Sequence, residues 1–169
     1  AVVGTKYRVV KNRGNLNDHL GLPISLAELS ACPEVAVMEL GMNHAGEITP
    51  LVKLVQPHVA IITTIEPVHL EYFSGIEAIA DAKAEIFLGL EPGGAAGLNR
   101  DNSQFARLEA AAHFRVSAYS RLSTSACRLA SMIFSLTPTV PHSCRPSLVW
   151  INTRVRAPVP VEVSRMRTL

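Results

Sequence analysis

The 169-residue chain has no GxxxxGK[ST] loop, so it lacks the Gly-rich backbone cradle that most often holds nucleotide phosphates. Its three cysteines, Cys32, Cys127 and Cys144, show no CxxC spacing and follow no secretory signal. Neither a disulfide framework nor a zinc site is therefore expected, and a reducing, cytoplasmic setting fits. No apolar run reaches the roughly 18 residues that a membrane helix needs. From residue 113 onward there is neither glycine nor lysine. Ala1 stands where a start methionine would, and a strand-like segment follows at once, so the chain's beginning is expected to be missing.

What is present is a body and a tail of opposite charge. Residues 1–112 hold eight Lys/Arg against thirteen Asp/Glu, whereas residues 113–169 hold eight Arg and one Glu. The tail's arginines are scattered singly, without interleaved aromatics or a helical basic face, so neither nucleic acid nor a membrane surface is expected as a partner. Nearly half the chain is hydrophobic, enough to bury one moderate core. A single domain is expected.

Val35-Ala36-Val37-Met38-Glu39-Leu40 is a short apolar run closed by Gly41, the pattern of a strand buried on both faces of a parallel sheet. Glu47 to Val55 carries apolar residues at helical spacing before Pro57, and a second apolar run spans Val59 to Ile65. Ile76, Ile79, Ala80, Ile86, Phe87 and Leu90 form one stripe of 3.6 period, which predicts a single helix ended by Pro92-Gly93-Gly94. Ala95 to Leu98 reads as a third strand, with a further helix from near Ser103. The β-α-β-α-β order predicts an α/β fold, a parallel sheet with flanking helices. Past Ala112 both periods fade. The nine serines, eight arginines and five prolines of residues 113–169 suggest an irregular, unrelated tail, either disordered or, as we prefer, translated out of frame from GC-rich DNA.

Three residues invite chemistry. Lys83 lies four positions from both Ile79 and Phe87, on the apolar stripe of its own helix. Its stem can pack there while the ammonium snorkels to an edge, or burial can depress its pKa and leave a reactive amine. Glu39 interrupts an apolar strand near its carboxyl end, where open parallel sheets bind ligands, and a carboxylate there must be paired, hydrogen-bonded or metal-bound. His69 follows the end of the next strand and should open onto the same crevice, although from the residue alone an ordinary loop histidine is the stronger reading. Pro92-Gly93-Gly94 precedes a strand rather than a helix and reads as a plain turn.

Five segments in order resemble the Mur ligases, and most of all the branch that joins D-alanyl-D-alanine to UDP-N-acetylmuramoyl-tripeptide. Gly14-Asn15-Leu16-Asn17-Asp18-His19-Leu20-Gly21-Leu22-Pro23 is similar to the family's G-N-x-N-N-x-x-G-x-P, with Asp18 in place of the second Asn of the pair. Glu39-Leu40-Gly41-Met42-Asn43-His44-Ala45-Gly46-Glu47-Ile48 resembles E-L-G-x-N-H-x-G-E-I. Glu66-Pro67-Val68-His69-Leu70-Glu71, Asp81-Ala82-Lys83-Ala84-Glu85-Ile86-Phe87 and Asn99-Arg100-Asp101 resemble the segments that follow. The resemblance implies that Glu39 and His69 bind Mg²⁺ and that Lys83, carbamylated by carbon dioxide, is a catalytic residue that supports the metal. A carbamate offers hard oxygens where an ammonium offers none. It further implies that Asn15 and Asn17 face the UDP-muramoyl peptide, where turn formation is their bland alternative, and that Asn43 and His44 lie against the nucleotide. ATP and Mg²⁺ are the implied cofactors, UDP-N-acetylmuramoyl-tripeptide and D-alanyl-D-alanine the implied substrates, and a monomer the implied state.

The chain departs from that pattern at both ends. The family's phosphate loop and N-terminal substrate domain are expected before Ala1, and the pattern stops after Ala112. Residues 1–112 thus read as part of a P-loop-type ATPase domain, incomplete and expected to be inactive alone. A ligase adding a diamino acid or lysine, or a folylpolyglutamate synthase, is a competing reading that the Gly-Asn-Leu-Asn segment disfavours. A non-catalytic binding module is another.

Overall fold

The computed structural model describes residues 3–27, 33–67, 70–120 and, for the backbone alone, 147–152. After a single 3₁₀ turn at Val3–Thr5, the elements run β1 (Val9–Lys11), α1 (Gly21–Ala27), β2 (Val35–Glu39), α2 (Ile48–Val55) and β3 (Val59–Ile62). Next come α3 (Ile76–Ala84), a 3₁₀ segment (Glu85–Gly89), β4 (Ala95–Asn99), α4 (Phe105–Ala111), β5 (Arg115–Tyr119) and β6 (Ser147–Asn152). The six strands form one sheet in the order β1-β2-β6-β3-β4-β5, and every pairing is parallel. The expected α/β architecture is therefore present.

The period-2 geometry of the strands sorts the core into two layers. Ala36 and Met38 of β2, Ala60 and Ile62 of β3, and Ala96 and Leu98 of β4 face the main cluster with Ile48, Val52, Ile79 and Ile86 of the helical layer. The alternate residues Val35, Val59 and Ile61 face the other side, where they meet Tyr119, Val3 and Tyr7. Burial on both faces explains why β2 and β3 read as continuous apolar runs.

Three expectations need correction. The apolar stripe over residues 76–90 is not one α-helix: α3 stops at Ala84 and the chain tightens into the 3₁₀ segment. Packing against α2 is the reason. A Cβ on Gly89 would lie 2.5 Å from the Val52 carbonyl oxygen, so the segment must approach the α2 backbone more closely than a regular helix with side chains allows. The strand expected over Val59 to Ile65 ends at Ile62, because Thr63, Thr64 and Ile65 turn their carbonyls to side-chain donors instead of a neighbouring strand. The sheet also does not stop at Ala112. β5 pairs with β4 from Ala95↔Arg115 to Asn99↔Tyr119, and β6 fills the space between β2 and β3. Arg115-Val116-Ser117-Ala118-Tyr119 is a largely solvated edge strand, so it carries none of the apolar continuity that reveals β2 and β3.

Candidate functional site

In a parallel sheet all carboxyl ends share one edge, and in this chain polar side chains gather there. Glu39 is the last residue of β2 and half-buried. Its backbone is clamped by Asn12, which follows β1: the Glu39 amide donates to Asn12 Oδ1 at 2.7 Å, and Asn12 Nδ2 donates to the Glu39 carbonyl at 2.9 Å. Asn12 Nδ2 also reaches the Leu16 carbonyl at 2.7 Å, which ties the Gly14–Pro23 segment to the same point. Asn17 Nδ2 then approaches Glu39 Oε1 at 3.4 Å. The structure thus brings Asn17 onto the Glu39 carboxylate. Gly41 permits this approach: its amide donates to the Asn17 carbonyl at 2.8 Å, and a Cβ there would stand 3.0 Å from the Asn17 side-chain amide.

The rest of the segment is shaped locally. Asp18, the residue that departs from the family pattern, accepts from the amides of Gly21 at 2.7 Å and Leu20 at 3.1 Å at the start of α1. Those two amides, Gly21 foremost, hold its carboxyl below the ordinary carboxylate range. Asn15 is exposed, and its carbonyl accepts from the Asn17 amide at 2.8 Å.

Lys83 is 6% exposed, and its Nζ donates to the Thr64 carbonyl at 3.0 Å, just beyond β3. The snorkelling alternative fails, because the amine is tied to the backbone inside the fold rather than carried to its rim. Beside it, Asn99 Nδ2 donates to the Thr63 carbonyl at 3.0 Å and Asn102 Nδ2 to the Ile65 carbonyl at 3.2 Å. Three consecutive carbonyls after β3 are therefore held by three side chains. His69 lies outside the described residues.

Asn43 and His44, both exposed, sit in the loop before α2, where Glu47 organises them. Glu47 Oε2 accepts from the Asn43 amide at 2.7 Å and the His44 amide at 3.2 Å, and Oε1 meets His44 Nδ1 at 3.0 Å. Partial burial pushes the Glu47 carboxyl up, but the Asn43 amide and the His44 ring and amide outweigh it and hold it below its ordinary value. The His44 ring packs on Tyr72 with centroids 4.3 Å apart. The loop is also held from across the fold: Glu85 accepts from the Gly46 amide at 2.6 Å, the Thr49 amide at 3.0 Å and Thr49 Oγ1 at 2.8 Å.

Asn12, Asn102, Thr64 and Glu85 are the site-building residues that sequence reasoning missed. Only Glu85 had a local signal, a carboxylate beside the apolar stripe. Among the described residues no three His, Cys, Asp or Glu side chains gather as a metal site. The donor chemistry nonetheless fits a hard cation: Glu39 presents a half-buried carboxylate at the ligand edge, and Lys83 would add oxygens on conversion to a carbamate. A groove lined by Glu85, Phe87, Leu90, Ala111 and Phe114 lies on the helical layer, shares Glu85 with the loop before α2, and includes none of Glu39, Asn17, Lys83 or Thr64.

The Mur ligase middle domain, as a family model, matches residues 1–143. The chain belongs to that family. Within it, the UDP-N-acetylmuramoyl-tripeptide–D-alanyl-D-alanine ligase of Rickettsia prowazekii is 43% identical over 102 residues, which is 60% of this chain and 23% of that protein. A crystal structure of MurF from Acinetobacter baumannii superposes with a TM-score of 0.67 at 38% identity, covering 71% of this chain and 26% of that one. MurF ligase from Thermotoga maritima in complex with ADP gives 0.64 at 28% identity, over 71% of this chain and 28% of that one. The Mur ligase middle-domain chain described here thus spans about a quarter of the length of the relatives it matches. No helix among the described residues is long and apolar enough to cross a membrane.

Proposed function

We propose that this chain is part of an ATP-dependent amide ligase that adds D-alanyl-D-alanine to UDP-N-acetylmuramoyl-tripeptide in cell-wall precursor synthesis. The observation that carries the reading is Lys83, buried at the ligand edge of a Mur ligase sheet with its Nζ on the Thr64 carbonyl. Names of the relatives supply the substrates. The Gly14–Pro23 segment, drawn onto Glu39 by Asn12 and Asn17, supports this branch over the diamino-acid-adding ligases and folylpolyglutamate synthases.

In the whole enzyme, the substrate's terminal carboxylate accepts a phosphoryl group from ATP, and the amine of D-alanyl-D-alanine attacks the acyl phosphate carbon. An amide forms and phosphate leaves. Magnesium, when bound, spreads the negative charge of the transferring phosphoryl group. Glu39, His69 and a carbamylated Lys83 are the residues proposed to hold it. Burial of the Lys83 amine at the ligand edge, with Nζ fixed on the Thr64 carbonyl, supports the carbamate by placing that group at the site. Asn43 and His44, fixed by Glu47 and Glu85, are proposed to lie against the nucleotide, and Asn15 and Asn17 against the muramoyl peptide. The protein is proposed to act in the cytoplasm as a monomer.

Activity of the chain alone is expected to be negligible, since it contains no phosphate loop. Isothermal calorimetry with Mg-ATP checks this, and micromolar binding would overturn it. The substrate reading is tested by grafting residues 9–112 in place of the matching stretch of the Bacillus subtilis relative, which is 45% identical over 94 residues. The graft should release phosphate only when D-alanyl-D-alanine is present. Release that depends instead on a diamino acid or glutamate sinks the assignment. The stretch beyond residue 143, where the family match ends, is proposed to be read out of frame. A shifted frame that restores the ligase pattern there supports this, and closed alternative frames refute it.

A further inference from the structure

Beyond Ile62 the chain leaves the β3 ladder, yet Thr64 and Ile65 stay buried, so their carbonyls and that of Thr63 need donors from elsewhere. Three side chains supply them: Asn99 Nδ2 to Thr63 at 3.0 Å, Lys83 Nζ to Thr64 at 3.0 Å and Asn102 Nδ2 to Ile65 at 3.2 Å. The lysine's acceptor is the middle carbonyl of the three. Those on either side are held by asparagines from the end of β4 and the turn that follows it.

The two asparagines are built alike. Asn99 Oδ1 accepts from the Asp101 amide at 3.1 Å and Asn102 Oδ1 from the Gln104 amide at 2.9 Å, so each side chain is fixed at its oxygen within its own turn and turns its nitrogen toward residues 63–65. The turn is anchored in turn: the Asn102 amide donates to the Asn99 carbonyl at 3.2 Å, and the Arg100 amide to the Tyr119 carbonyl of β5 at 2.7 Å. Asparagine is required for both tasks at once, because aspartate of the same shape keeps the local cap but sets an acceptor against the distant carbonyl.

A lysine amine that adds carbon dioxide keeps one N–H. The lone pair of the neutral amine bonds to the carbon, one C=O π pair passes to oxygen, and one proton leaves the nitrogen for solvent, so Nζ ends with one hydrogen and one carboxylate. That hydrogen needs an acceptor inside the fold, and the Thr64 carbonyl already stands at hydrogen-bond distance. We propose that Asn99 and Asn102 are positioning residues for the Lys83 carbamate: by holding the Thr63 and Ile65 carbonyls they fix the Thr64 carbonyl between them, which retains the carbamate N–H. This rests on the carbamylation proposed above for Lys83 and adds to it the acceptor run and the two asparagines that set it.

The test uses the full chain equilibrated with isotope-labelled bicarbonate at fixed pH and read by carbon NMR, with Lys83→Met identifying the carbamate signal. In wild type that signal should saturate as bicarbonate rises. Asn99→Asp and Asn102→Asp should each raise the half-saturating bicarbonate by about threefold or more at an unchanged plateau, since a displaced acceptor weakens carbamate formation whereas partial unfolding lowers the plateau. Asp81→Asn, which loosens α3 from α4 without touching residues 63–65, should leave half-saturation as in wild type. Where Asn99→Asp fails to fold, Asn102→Asp, at the less buried position, decides the matter. Unchanged half-saturation in either folded asparagine variant overturns the positioning role and leaves carbamylation standing, whereas a wild type without a Lys83-dependent signal overturns both.

Discussion

Lys83 Nζ donates to the carbonyl oxygen of Thr64 at 3.0 Å, and both residues are buried, so α3 is pinned to the backbone just where β3 gives way to the ligand edge. The contact gives the lysine a structural role that can be separated from its chemical one. Lys83→Met keeps the stem's volume while removing the hydrogen bond to Thr64, and should cost less unfolding free energy than Lys83→Ala. Lys83→Ala opens a cavity as well and should cost about 2–4 kcal/mol. Urea denaturation measures both. In the grafted ligase, Lys83→Met should lower kcat at least a hundredfold despite its smaller cost in stability, and an unchanged kcat would leave Lys83 with packing alone.

Asn12 acts through Glu39 rather than on a ligand. Removing its amide unpairs the Glu39 N–H and the carbonyls of Glu39 and Leu16, so Asn12→Ala should cost about 2–3 kcal/mol. Asn12→Asp should be no better, since it sets an acceptor against two carbonyls. In the graft, Asn12→Ala should raise KM for magnesium more than it lowers kcat at saturating metal, a split that simple loss of stability does not produce.

Glu85 gathers three donors from the loop before α2, and its half-buried carboxylate makes each bond charge-assisted. Glu85→Ala should cost about 1–3 kcal/mol, and Glu85→Gln less. Hydrogen exchange at the Gly46 and Thr49 amides should accelerate in Glu85→Ala before the chain unfolds globally. If those amides exchange as in wild type, the carboxylate is not what holds the loop.

Asp81 and Arg107 join α3 to α4 through two bonds, 2.6 Å from Nε and 2.9 Å from Nη2. The Arg107 hydrogen bonds, ahead of its charge, hold the Asp81 carboxyl below its ordinary value of 3.8. A carboxyl depressed on folding contributes stability above its unfolded pKa and loses it as pH falls through the folded value. Wild type should therefore melt slightly above Asp81→Asn at pH 6, and the gap should close as pH drops past 3.8. Both side chains are about half exposed, so the gap should also shrink in high salt. A gap that widens in acid would contradict the assignment.

Local sequence pattern reveals the structure where burial on both faces leaves a continuous apolar run, as in β2 and β3, and where a helical stripe singles out a misplaced lysine. It failed where the deciding partner is remote. Nothing in Lys11-Asn12-Arg13 announces that Asn12 will clamp a strand 27 residues away. Similarly, α3 has the stripe of a longer helix, but the close approach of Gly89 to α2 converts its last turn into a 3₁₀ segment.

Local spacing of side chains thus determined the parallel α/β class and the places of Glu39 and Lys83, because strand and helix periods are properties of neighbouring residues, while the five ordered segments carried the resemblance to the family. Tertiary structure decided that Lys83 is tied to Thr64 rather than snorkelling, that Asn17 meets Glu39, and that β6 lies between β2 and β3. Each depends on backbone groups far apart in sequence finding one another's hydrogen bonds, and no periodic pattern within a short window encodes that pairing.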